Sequence, residues 1–260
     1  MAEGKKCSLK IFWQRLQNVS SRVLFLDYDG TLAPFRKERD KAFPYPGIRE
    51  ILEKIQQSGK IRIIIVSGRA VTDLLPLLGL KNFPEIWGSH GFERRLPDGS
   101  LVKPEIDSKS QQHLESAYNW LKNHGYEKDC EKKPASIAFH WRGLKQNQQM
   151  ELAGTIRRVW TPFTEDGTLR IHQFDGGLEL RHAGFHKGEA VKQILAEYDS
   201  EVFMAYLGDD LTDEDAFKAL KGKGLSVLVR ETYRKTSADC WLQPPGELLN
   251  FLEKWYSYSL

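Results

Sequence analysis

The stretch Val23-Leu24-Phe25-Leu26-Asp27-Tyr28-Asp29-Gly30-Thr31-Leu32 constrains this chain more than any other. Four consecutive apolar residues predict a strand buried on both faces, the kind found inside a parallel sheet. Asp27 and Asp29 follow two positions apart, so in an extended chain both carboxylates point the same way. Gly30 then lets the backbone turn. Open α/β sheets bind ligands outside the carboxyl ends of their strands, which is where this pair falls. Two adjacent carboxylates are costly unless a cation or a proton separates their charges. A calcium loop beginning at Asp27 would place Glu38 correctly. It would also need glycine where Leu32 stands and a helix where the strand stands. Two aspartates merely capping a turn is the plainer alternative, and the rest of the chain decides against it.

With 260 residues the chain can form one large domain or two modest ones. Its 40% hydrophobic and 28% charged content is that of a soluble globular protein. The net charge of +3 is spread along the sequence without a polybasic tail, so neither nucleic acid nor a membrane surface is an expected partner. No apolar run is long enough to span a bilayer, and the N-terminal segment lacks the apolar core of a secretory signal. Cys7, Cys130 and Cys240 are far apart and in no ligand spacing. They read as reduced thiols of a cytoplasmic protein.

Along the chain, Leu9, Phe12, Trp13 and Leu16 space out an amphipathic opening helix that packs on the sheet. The charged segment Ala33–Phe43 reads as a loop over the sheet end. Ile48, Ile51, Leu52 and Ile55 mark a helix stopping at Ser58-Gly59. Ile61–Val66 is a second buried strand, followed by Ser67-Gly68-Arg69 and a helix from about Ala70 to Leu78. Ser67 can cap that helix, close to backbone N–H groups that favour an anion. Ile86–Gly88 is a short third strand, and Pro97-Asp98-Gly99 is a hairpin turn. The pattern then changes. Ser110–Asn123 and Gln146–Trp160 are helical, Ala135–Trp141 alternates as a strand, and Leu169–Phe174 with Leu178–His182 form a hairpin around Asp175-Gly176-Gly177. That order predicts an inserted antiparallel α+β layer. Parallel logic returns after Gly184, with a helix opened by Lys187, strands Val202–Leu207 and Leu225–Val229, and a last helix Gly246–Tyr256. The expected domains are a core over 1–100 and 184–260 and a cap over 101–183.

Chemistry follows from what collects at the strand ends. Hydrolysis of a phosphate monoester needs a nucleophile, a proton donor for the leaving oxygen, and positive charge around the phosphoryl oxygens. One aspartate of the first motif can attack phosphorus while the other protonates the leaving alkoxide and then activates water. An anionic nucleophile and a dianionic substrate repel, so a divalent cation is required, and magnesium suits an all-oxygen site with few carboxylates. Asp209, Asp210 or Asp213 can supply a further ligand, and Lys187 can neutralise the phosphoryl oxygens. Capping of a first helical turn accounts for two or three of the five carboxylates in Asp209–Asp215, but not for all of them.

Together, Asp27-Tyr28-Asp29-Gly30-Thr31, Ser67 after an apolar strand, Lys187, and Gly208-Asp209-Asp210 with Asp213 resemble the four signature motifs of the haloacid dehalogenase superfamily. A finer resemblance, to trehalose-6-phosphate phosphatases, rests on Val66-Ser67-Gly68-Arg69, Gly88-Ser89-His90-Gly91-Phe92-Glu93, Phe139-His140-Trp141-Arg142, Leu178-Glu179-Leu180-Arg181 and Gly208–Glu214. It covers nearly the whole chain beyond the first twenty or so residues. The resemblance implies a Rossmann-like parallel-sheet core with a mobile α+β cap inserted between the second and third motifs. It implies Asp27 as nucleophile and Asp29 as acid/base. Mg2+ would be held by Asp27, the Asp29 main-chain carbonyl and Asp209, with Asp210 and Asp213 behind them. Thr31, Ser67, Gly68 and Lys187 would hold the phosphate. Arg69, His90, Glu93, His140, Arg142, Glu179 and Arg181 match residues at or beside the sugar.

The sequence departs from that family's habit at His182, often proline, and at Phe185-His186, often Trp-Asp. Arg69 can instead pair with an acid of the core, and His90 and His140 can be ordinary hydrogen-bonded histidines. The implied activity is hydrolysis of trehalose 6-phosphate in trehalose biosynthesis, by a cytoplasmic monomer. The alternatives are a phosphatase for another glycosyl phosphate such as glucosylglycerol phosphate, a phosphomutase, or a non-catalytic sugar-phosphate-binding module.

Overall fold

The computed structural model describes residues 9–36, 38–141, 143–174, 176–198 and 202–260. Arg142, Asp175 and Cys7 lie outside the described residues. The chain divides into two compact units, one comprising Met1–Lys103 with Lys187–Leu260 and the other Pro104–His186.

In the larger unit β1 (Ser21–Leu26) is central. It pairs in parallel with β2 (Arg62–Val66) on one side and β10 (Val202–Gly208) on the other. The parallel set extends through β3 (Glu85–Gly88), β11 (Gly224–Val229) and β12 (Cys240–Leu242). β4 (Glu93–Arg95) and β5 (Leu101–Val102) add an antiparallel edge, as the turn at Pro97–Gly99 predicts. Alternate residues of the central strands feed opposite faces, which is why their runs are apolar throughout. Leu24, Leu26, Ile63 and Ile65 pack beneath α1 (Lys10–Gln17), α2 (Ile48–Gln57), α3 (Val71–Leu78) and α8 (Gly246–Ser259). Val23, Phe25, Ile64, Met204 and Tyr206 pack against α6 (Lys187–Ala196) and α7 (Glu214–Leu220).

The smaller unit is an antiparallel sheet in the order β6-β7-β9-β8, from β6 (Cys130–Lys133), β7 (Ser136–His140), β8 (Leu169–Phe174) and β9 (Gly177–His182). Ile137, Phe139, Leu178 and Leu180 turn one face toward α4 (Ser108–Asn123) and α5 (Gln146–Trp160), where Leu114, Leu121, Ile156 and Trp160 complete the core. The other face is polar.

Two strands were not foreseen. β6 reads Cys-Glu-Lys-Lys, and β12 has three residues; both are edge strands held by their neighbours' hydrogen bonds more than by apolar alternation. The cysteines also differ from expectation. Cys130 is free, and burial pushes its thiol up to about 12, but Cys240 is disulfide-bonded. Sequence separation carries no information on spatial approach, so spacing alone could not find that bond. Among the described residues no helix is long and apolar enough to cross a membrane.

Candidate active site

Asp27 is the first residue beyond β1, and its N–H still bonds Leu207 O of β10 at 2.9 Å, so its backbone is fixed by the sheet. The carboxylate is buried. Oδ1 accepts from Lys187 Nζ at 2.6 Å and Oδ2 from Thr31 Oγ1 at 3.1 Å. Lys187, the first residue of α6, is buried too and donates its second bond to Asp213 Oδ1 at 2.8 Å. These contacts bring together Asp27, Thr31, Lys187 and Asp213, taken from three separate motifs.

Asp213 is saturated. Besides Lys187, its Oδ1 accepts Tyr206 O–H at 2.6 Å, and its Oδ2 accepts the N–H groups of Asp209 and Asp210 at 3.1 and 2.9 Å. Asp209 is the opposite case. Both its carboxylate oxygens are buried and none of the described residues hydrogen-bonds them; Arg230 Nη1 stands 4.0 Å from Oδ2. Gly30, at φ +82°, lies against this group, and a Cβ there would come 2.3 Å from Asp209 Oδ2. The glycine of the first motif is therefore required twice, for its turn and for the room it leaves.

One oxygen each of Asp27, Asp209 and Asp213 lie within 4.8 Å of one another. Burial pushes the Asp27 carboxyl up to about 7 against the pull of Lys187, with Asp213 adding to the rise. Burial, then the charges of Asp27 and Asp213, hold Asp209 well above the carboxylate range. Burial would lower Lys187, but Asp213 and Asp27 together raise it. Among the described residues Lys187 is thus the one buried cation set among three buried carboxylates, with the half-buried Arg230 standing off at 4.0 Å from Asp209. Orphaned buried oxygens beside an electron-rich neighbour are what a hard divalent cation occupies. The donor set fits such an ion at Asp27 and Asp209, with Asp213 supporting from behind.

The other predicted residues divide. Asp29 is partly exposed, and the Arg69 guanidinium forks onto both its oxygens at 2.6 Å while also donating to Arg39 O at 2.8 Å. Arg69 therefore engages the proposed acid. Ser67 does not cap α3, whose N-cap is Ala70; its Oγ accepts the Arg69 N–H at 3.1 Å instead, because three residues separate it from the first helical turn. The α3 N-terminus is served by Glu93, whose carboxylate accepts Val71 N–H at 2.9 Å and Ser89 Oγ at 3.3 Å and pairs with Lys103 at 2.7 Å. Glu93 is thereby committed to the fold around the second motif. Ser89 and His90 both adopt positive φ, +50° and +59°, which costs about 1–3 kcal/mol each. Their N–H groups bond Arg69 O and Ser67 O at 2.7 and 2.9 Å, locking the strained turn onto the Ser67–Arg69 loop. The His90 ring lies over Gly68. Asp210 caps the turn Leu211–Asp213 in a capping box with Asp213.

In the smaller unit, the polar sheet face is a charged row. His140 Nε2 lies 3.2 Å from Glu131 Oε2, and Lys133 Nζ lies 3.7 Å from Glu131 and 3.8 Å from Glu179. Ser136 Oγ donates to Glu179 at 2.7 Å, and Arg181 Nη1 stands 3.4 Å from its other oxygen. Glu131 and Lys133 were missed because β6 was missed; their alternation with His140 and Glu179 across the ladder is visible only once the register is known.

The family model described as Trehalose-phosphatase matches residues 25–243 of this chain. The chain belongs to the trehalose-phosphatase family. Among curated relatives, "Probable trehalose-phosphate phosphatase H" of Arabidopsis thaliana is 31% identical over 253 residues, covering 89% of this chain and 71% of that protein. Among solved structures, the C. albicans trehalose-6-phosphate phosphatase C-terminal domain superposes with a TM-score of 0.84 at 22% identity, covering 98% of this chain and 99% of that one. The C-terminal domain of the Candida albicans trehalose synthase regulatory protein shares the fold with a TM-score of 0.75 at 13% identity, covering 96% of this chain and 99% of that one. A haloacid dehalogenase-like hydrolase from B. subtilis also shares the fold, with a TM-score of 0.64 at 16% identity, covering 89% of this chain and 98% of that one, so the fold is haloacid dehalogenase-like. As a member of the trehalose-phosphatase family the protein is a phosphatase.

Proposed function

We propose that this phosphatase hydrolyses trehalose 6-phosphate by way of an aspartyl-phosphate on Asp27, with Mg2+ as cofactor. The observation that carries the reading is the buried Asp27, held between Lys187 and Thr31 beside the Asp209 carboxylate, whose oxygens accept no hydrogen bond from the described residues. The fold alone would not suffice, since a regulatory protein shares it.

A carboxylate oxygen of Asp27 attacks phosphorus, forming the O–P bond as the sugar oxygen leaves with its electron pair. Asp29 delivers a proton to that oxygen, then takes one from the water that cleaves the aspartyl-phosphate. Both Asp29 oxygens are gripped by Arg69, so acting on a leaving group requires the side chain to turn away from that fork. Lys187 and Thr31 hold phosphoryl oxygens, and Ser67 with Gly68 supplies further donors at the end of β2. When bound, the divalent cation supplies charge neutralisation between nucleophile and phosphate; Asp27 and Asp209 would hold it. Sugar recognition we assign to Glu131, Lys133, His140, Glu179 and Arg181, whose paired donors and acceptors suit a diol edge; Arg142 joins them on its motif alone.

The test is phosphate release from a panel of sugar phosphates. Trehalose 6-phosphate is expected to be turned over with the highest kcat/KM; a clear preference for another glycosyl phosphate, glucosylglycerol phosphate included, would replace the substrate and leave the chemistry standing. EDTA is expected to abolish release and added magnesium to restore it. Full activity in chelator would refute the cation assignment.

A further inference from the structure

The segment Arg230–Ser237, between β11 and β12, belongs to none of the motifs that point to phosphoryl chemistry. Even so, Arg234 reaches back to the turn that carries Asp209. Its Nε donates to Asp209 O at 3.2 Å and its Nη2 to Asp210 O at 2.6 Å, while Nη1 pairs with Glu214 Oε1 at 2.5 Å and Lys235 O at 3.1 Å. Glu214 is fixed in turn by Thr236 Oγ1 and the Ser237 N–H, both at 2.7 Å. Arg230 Nη1 adds a longer contact of 3.4 Å to the same Asp209 carbonyl.

The two-residue segment Asp209-Asp210 is therefore gripped from both sides. Asp213 takes its two N–H groups and Arg234 takes its two carbonyls. This matters because no side-chain hydrogen bond from the described residues orients the Asp209 carboxylate. Its aim is set by its backbone. A guanidinium is a planar fork whose Nε and Nη2 can address two successive carbonyls at once; an ammonium is a point charge and cannot hold both in one geometry.

We propose that Arg234 is a positioning residue for cation binding, holding the Asp209-Asp210 backbone so that the Asp209 carboxylate is presented as a ligand. The inference rests on the reading of Asp27 and Asp209 as the cation site. Partners that orient a metal ligand typically change metal affinity about 10–100-fold when lost.

Magnesium chloride titrated calorimetrically into the purified full chain tests this without any substrate. Arg234→Gln and Arg234→Lys are both expected to raise the magnesium dissociation constant about tenfold or more. The lysine variant separates geometry from charge, since it keeps the positive charge and loses the fork. Glu214→Gln, which loosens the anchor of Arg234, is expected to give an intermediate loss and serves if the Arg234 variants do not fold. In turnover, high magnesium should restore kcat while KM for the sugar phosphate stays within about twofold, a split that general destabilisation would not produce. Wild-type magnesium affinity in a folded Arg234→Lys protein would overturn the proposal, as would absence of magnesium binding by the wild type. A wild type that binds magnesium yet cleaves no sugar phosphate would instead fail the activity reading, and the calorimetric comparison would still judge Arg234.

Discussion

Asp27→Asn is expected to abolish phosphate release, by about 10⁴-fold or more, because it removes the atom that forms the bond to phosphorus. Asparagine keeps the size and shape of the side chain, so the fold should survive. It should in one respect improve. The Asp27 carboxyl titrates near 7 in the fold against an ordinary value of 3.8, so the folded state binds that proton more tightly than the unfolded one. In metal-free protein the Asp27 contribution to stability is therefore lost as pH rises from about 4 through about 7. The asparagine variant lacks that group and should lose less over the same window. Urea unfolding in EDTA at pH 5 and pH 8, alongside phosphate-release assays with magnesium, measures both effects. A variant that is inactive because it is unfolded, or that is still active, contradicts the assignment.

Lys187→Met carries the second large effect, and here stability and activity fall together. Lys187 is buried and holds Asp27 and Asp213 at 2.6 and 2.8 Å. Removing one partner of a buried ion pair costs about 3–5 kcal/mol, since the remaining charges keep their desolvation penalty. Asp213 and Asp27 hold the Lys187 ammonium's pKa above its ordinary 10.5 against the pull of burial, so its contribution is fully present at all pH values below about 10.5. The loss should therefore be seen at neutral pH and should shrink toward acid, where the stranded carboxylates take up protons. Turnover should drop by about 10²–10³-fold, the scale for losing one preorganised charge at a developing anion. Denaturant unfolding between pH 5 and pH 8 reports the first effect. An unchanged midpoint at pH 8 would mean that the buried contacts are not made in solution.

Residues carried by strand ends were the most legible in the sequence. β1 and β2 announce themselves as unbroken apolar runs, and a polar residue ending such a run in a parallel sheet has few places to be, so Asp27 and Ser67 could be placed from pattern alone. Lys187 and Asp213 were legible as chemistry but not as geometry, because only the fold brings α6 and the turn after β10 onto one carboxylate. Arg69 carries two readings in the sequence, substrate or an acid of the core, and it pairs with Asp29; Glu93, read toward substrate, also serves the start of α3. A sequence shows that a charged side chain is present, not which orphan N–H it will satisfy. Tyr206 lies within an apolar strand, and nothing in that pattern shows that its hydroxyl holds Asp213. Arg234 had no signal at all: its loop has neither periodicity nor motif, and its value lies in two carbonyls more than twenty residues away.

Crystals grown with magnesium and soaked with beryllofluoride test the central claim most directly. The mimic should be bonded to a carboxylate oxygen of Asp27, with Lys187 and Thr31 around its fluorides. Density for it on any other side chain, or unattached in the site, would contradict the account.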